Sequence, residues 1–114
     1  MRRSLLLLLV ALAGCSKGPQ ADLPYISEAR SLAAEWALIN QQAAQGKLTD
    51  AYVTSMRKSL QQHAKTAAEA LTQPDTPYAR EMRAIASEPP DAPPEELRVH
   101  SDRLKQIEDS LESA

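Results

Sequence analysis

From Tyr25 to Ala43 an apolar side chain returns at every third or fourth position. Tyr25, Ala29, Leu32, Trp36, Ile39 and Ala43 follow a 4-3-4-3-4 spacing, which sets all six on one side of an α-helix. Ile26, Ala33, Ala37 and Leu38 widen that stripe, and Glu28, Arg30 and Glu35 are the only charges between Tyr25 and Ala44. A helix with so much apolar surface needs cover on more than one side, so it is expected at the centre of the fold. Pro24 suits its first turn and Gly46 supplies the stop, because glycine takes up the left-handed conformation that closes helices.

Three further segments carry the same period. Thr49 and Asp50 offer a cap for a second helix after a very short connection. Val53, Met56, Leu60, Ala64, Ala67 and Leu71 then form its stripe, while Arg57, Lys58, Gln61, Gln62, Lys65 and Glu69 lie mostly on the other side. So tight a link makes the first two helices antiparallel. Pro74-Asp75-Thr76-Pro77 ends the second and opens a short third, with Tyr78, Met82 and Ile85 on one face before Pro89 and Pro90 stop it. Asp91-Ala92-Pro93-Pro94 introduces a fourth, in which Glu95 and Glu96 favour the positive end of the helix dipole and Leu97, His100, Leu104, Ile107 and Leu111 form the stripe. Glu108, Asp109 and Glu112 crowd its C-terminus, where the dipole opposes them, so the last turn is expected to fray.

Strand signals are nearly absent: the chain has no Phe, no alternating run and no Asn-Gly turn. The expected fold class is all-α, a small antiparallel bundle of three long helices plus one short helix, spanning residues 24–114. Its core is lean. Trp36, Tyr25, Tyr52 and Tyr78 are the only aromatic residues, and alanine, which supplies much of both long stripes, buries little area.

The N-terminus has a different grammar. Met1-Arg2-Arg3 is followed by the apolar run Leu5 to Leu12 and then by small Ala13 and Gly14, the order of a secretory signal. As a helix that run would reach only about 13 Å, at ~1.5 Å per residue, too short for a hydrocarbon core of ~30 Å. Leu12-Ala13-Gly14-Cys15 closely resembles the lipobox of bacterial lipoproteins. The resemblance covers residues 1–16. It implies that residues 1–14 are a signal peptide, that Cys15 receives a diacylglyceryl group before cleavage, and that its freed amino group takes a further fatty acid such as palmitate. Ser16, in the place where aspartate marks inner-membrane retention in enteric-type bacteria, implies the periplasmic face of the outer membrane. Several acyl chains on Cys15 would give a stable membrane anchor. Residues 15–23, with Gly18-Pro19 at their centre, read as a flexible tether.

Composition and spacing exclude most chemistry. Cleavage before Cys15 would remove Arg2 and Arg3, leaving 11 basic against 15 acidic side chains, a net charge of −4, with no basic run to bind nucleic acid. Cys15 is the only cysteine, so no intrachain disulfide can form. Glu96 and His100, four apart on one helix face, are a possible ligand pair, and His63 would join them if the second and fourth helices met. Neither HExxH nor the Glu-x-x-His spacing of di-iron bundles is present, so no metal and no cofactor is expected. The serines lack a nucleophile elbow, and no catalytic residue is expected. Pro89 to Pro94 contains a PxxP spacing that fits a stiff joint better than a polyproline ligand.

Trp36 is the one large anchor, either plugging the bundle or lining a groove for a partner. The expectation is therefore a non-catalytic helical interaction module of the cell envelope, held to the membrane through Cys15 and meeting an envelope protein. The alternative is a carrier or sensor binding an apolar molecule or metal between the helices.

Overall fold

A computed structural model describes residues 18–114. After a short 3-10 turn, Gly18–Asp22, come four α-helices: α1 (Leu23–Ala44), α2 (Asp50–Glu69), α3 (Pro77–Ala86) and α4 (Pro94–Glu112). Among the described residues there is no strand. The all-α bundle of three long helices and one short helix is the architecture the periodicity predicts.

The central position of α1 follows from its apolar girth. It packs against α2 on one side and against α4 on the other, while α2 and α4 do not touch, and α3 contacts all three. Because α1 is flanked twice, three of the four residues that widen its stripe lie deepest. Ile26, Ala33, Trp36 and Ala37 are completely enclosed, Tyr25, Leu32 and Ala43 are half-buried, and Leu38 turns outward at 50% exposure. Met82 and Ile85 of α3 and Leu97 and Leu104 of α4 complete the interior. The alanines of α1 and α2 (Ala29, Ala33, Ala64 and Ala67) are buried with them.

The punctuation of the chain works as its chemistry dictates. Gly46 takes a positive φ of 69° just beyond α1, the left-handed turn that L side chains disfavour. The Thr49 hydroxyl accepts the Tyr52 amide at 3.3 Å and the Thr76 hydroxyl accepts the Ala79 amide at 3.2 Å, each satisfying an orphan donor of a first turn. Pro77 occupies the first turn of α3, where its missing N–H costs nothing.

One expectation needs correcting. The flexible tether does not run to residue 23, because Gly18–Asp22 are already part of the folded unit. Asp22 is fully buried: its carboxylate accepts the Thr72 amide and hydroxyl, both at 2.9 Å, the Gln73 amide at 3.1 Å and the Tyr78 hydroxyl at 2.6 Å. Burial alone would raise the Asp22 pKa, but the bonds from Tyr78, Thr72 and Gln73 outweigh it and hold the carboxyl below its ordinary value. An aspartate that reads as a polar linker residue thus fastens the start of the domain to the α2–α3 loop. Residues 15–17 of the expected tether, like the expected signal peptide 1–14, lie outside the described residues.

α4 is helical to Glu112, the end at which its last turn is expected to fray. Arg30 of α1 meets Glu108 at 2.7 Å and Lys105 lies 3.4 Å from Asp109, so cations offset the charge that the helix dipole would otherwise repel.

Candidate functional site

The polar side chains of the bundle gather where α1 ends and the chain passes from α3 to α4. Trp36 donates its indole N–H to the Pro90 carbonyl at 2.9 Å. One turn further on, Asn40 donates its side-chain amide to the carbonyls of Pro90, at 3.1 Å, and Ala92, at 2.8 Å. The proline-rich stretch is therefore a stiff joint strapped to α1. With both amide protons spent on carbonyls, the Asn40 side-chain oxygen can only accept, and it takes the Arg57 Nε–H of α2 at 2.7 Å. Asn40 is itself 95% buried, so it holds three segments together and sets the plane of the Arg57 guanidinium.

Arg57 borders a surface groove of about 400 Å³ between the end of α1, the α1–α2 loop, α2 and the joint. Ala43, Leu48, Val53 and Ala92 give it apolar walls, and Asp50 and Asp91 line it as well. Among the described residues no carboxylate forms an ion pair with Arg57. Its terminal nitrogens are donors in a fixed plane, suited to the two oxygens of a carboxylate.

A second cluster lies between α3, the joint and α4. His100 places Nδ1 against Glu81 and Nε2 against Glu88, the latter at 2.8 Å. Arg103 adds a 3.7 Å contact to Glu81. A neutral imidazole has one N–H, so satisfying both contacts needs a second proton, on the ring or on a facing carboxyl. Burial, followed by the nearby Glu96 carboxylate, pushes the Glu88 pKa up, although its bond to His100 pulls the other way.

Neither arrangement assembles the metal set considered from sequence. His63 is exposed on α2, which never meets α4, so it stays apart from His100. His100 is engaged by Glu81 and Glu88, and Glu96, the expected partner four residues away, faces Glu88. The carboxylates of Glu108, Asp109 and Glu112 do come together at the end of α4, where Arg30 already engages Glu108.

Trp36, the expected anchor, sits wholly inside the bundle at 0% exposure, beneath the joint instead of facing solvent. Ala43 and Val53 of the apolar stripes border the groove together with Arg57, which the sequence places on the other side of the second helix. A polar Asn40 within the apolar stripe was the available signal. Cys15, the expected lipidation site, lies outside the described residues. Compared with protein-family models, with curated proteins and with solved structures, the chain matches none of them.

Proposed function

We propose that this chain is a membrane-anchored periplasmic lipoprotein, a non-catalytic helical module that presents a surface to another protein of the cell envelope. The observation that carries the reading is Leu12-Ala13-Gly14-Cys15 behind a basic start and a leucine run. An acylated Cys15 would hold the domain at the periplasmic face, with Ser16 favouring the outer membrane. No helix among the described residues is long and apolar enough to cross a membrane, so attachment through lipid is consistent with the fold.

The geometry of the bundle supports a presenting role. The folded unit begins with Gly18–Asp22 ahead of α1, whereas Asn40 at the groove lies seventeen residues along α1 from Leu23, about 26 Å away at ~1.5 Å per residue. An anchor at one end thus leaves the groove at the other. Confinement to a membrane raises the effective concentration of any partner in the same plane, so modest affinity suffices. The alternative, a carrier of an apolar molecule, would need space beside Trp36, and that indole is fully enclosed.

The test is metabolic labelling with an alkyne-bearing fatty acid in a bacterial host, followed by membrane fractionation of the wild type and Cys15→Ser. The wild type should carry label and sediment with membranes, and Cys15→Ser should lose both. An unlabelled wild type recovered in the soluble fraction refutes the reading.

A further inference from the structure

The distal groove does not stand alone. A second hollow, of about 220 Å³, shares Arg57 with it and is also bordered by Lys58, Gln61 and Pro90. A third, about 390 Å³, shares Lys58 and Gln61 with the second. A fourth, about 510 Å³, shares Lys65 and Ala86 with the third and reaches Glu69 and Arg83. Joined through these shared residues, they form one track along α2 from Asp50 to Glu69, about 30 Å at ~1.5 Å per residue.

Its charge runs against that of the molecule. The net charge without Arg2 and Arg3 is −4, yet Arg57, Lys58, Lys65 and Arg83 all border the track while the acids Asp50, Asp91 and Glu69 stand at its two ends. Among the described residues none of these four cations forms an ion pair, although Arg83 reaches the Pro74 carbonyl at 3.0 Å. Between the cations lie Ala68, Ala86 and Pro90, which give apolar side chains somewhere to rest.

We infer that this track is a docking surface for an acidic peptide segment in which carboxylates alternate with apolar side chains. Lys58 and Lys65 stand two turns apart, about 10 Å at ~1.5 Å per residue; carboxylates two or four residues apart share one face of an extended segment, about 7 or 13 Å at ~3.3 Å per residue, and the flexible lysine stems span the difference. Arg57, oriented by Asn40, takes a further carboxylate through both terminal nitrogens. Complementary charge supplies register and encounter rate, and the apolar floor supplies contact area. The inference names the partner class for the proposed interaction module.

It is tested by selecting a random 12-residue peptide library on the full chain in detergent, with counter-selection on Lys58→Glu/Lys65→Glu. Both lysines are exposed, so the variant should keep its helical circular dichroism and its Tm. Enriched peptides should carry at least two acidic residues interleaved with apolar ones. A labelled selected peptide should bind the variant at least tenfold more weakly and lose affinity as salt is raised. Selected peptides without an acidic excess, or equal binding to both proteins, overturn the inference. So does Lys58/Lys65-dependent capture of phosphatidylglycerol vesicles without peptide binding, which would make the surface a lipid site. The peptide assay contains no membrane, so failure of the fatty-acid labelling would overturn the anchoring and leave this result intact.

Discussion

Removing the Asp22 carboxylate is the sharpest test of how the domain begins. In Asp22→Ala the Tyr78 hydroxyl, on a side chain only 3% exposed, loses its 2.6 Å acceptor inside the protein, and orphaning such a donor costs about 1–3 kcal/mol. Thr72 is exposed, so its amide and hydroxyl recover water and contribute only about 1 kcal/mol each to the loss. The expected total is roughly 3–5 kcal/mol. For a domain near 100 residues that corresponds to a Tm drop of roughly 15 °C or more, read by circular dichroism at 222 nm. Asp22→Asn retains an acceptor but loses the charge, and should fall between Asp22→Ala and the wild type.

The pH dependence provides an independent check on the same carboxylate. The folded pKa of Asp22 lies below its ordinary value, so its contribution is present above the unfolded value of about 3.9 and is lost as pH falls through the folded one. Tyr78 is pushed up to about 12, by burial first and then by its bond to Asp22. The protonated phenol is the form that fits, so this contribution holds below the unfolded value of about 10 and disappears as pH rises through 12. Asp22→Ala should remove the acid limb and make the alkaline limb shallower only in part, because the burial of Tyr78 remains. A loss below about 1 kcal/mol, or acid and alkaline limbs that superimpose on those of the wild type, would refute Asp22 as the clasp.

Three other outcomes follow from the same reasoning. Glu88 has a raised folded pKa, so its share of stability is present at acidic pH and declines as pH climbs above the usual glutamate range, by up to ~1.4 kcal/mol per pH unit for one proton; denaturation of Glu88→Gln across pH 4–8 should lack that decline. Gly46→Ala places a Cβ at a φ of 69° where nothing else lies within 4 Å, so urea unfolding should show a loss of about 1 kcal/mol from backbone strain alone. Trp36→Phe deletes the indole N–H that holds Pro90; hydrogen exchange at the Ala92 amide, bonded to the Pro89 carbonyl at 3.0 Å, should accelerate, whereas unchanged exchange would show the joint is held without it.

His100 sits on the α4 stripe and was readable as half-buried, but its partners Glu81 and Glu88 lie 19 and 12 residues away, separations set by how α3 and the joint fold back. Glu96 was the visible neighbour because helical spacing reveals only contacts within one helix. Asn40 has the same limitation: its three partners, Pro90, Ala92 and Arg57, belong to two other segments.

The four helices, their caps at Thr49 and Thr76, the stop at Gly46 and the proline joint could all be read from the order of residues, since each depends on neighbours within one or two turns. The packing partners could not. That α1 lies between α2 and α4, that Asp22 is clasped by the α2–α3 loop, and that Arg30 pairs with Glu108 of α4 all depend on groups brought together from distant parts of the chain. Local periodicity specifies which face of a helix is apolar. Which helix covers that face, and which charges then meet across the contact, is settled when the whole bundle closes around Trp36.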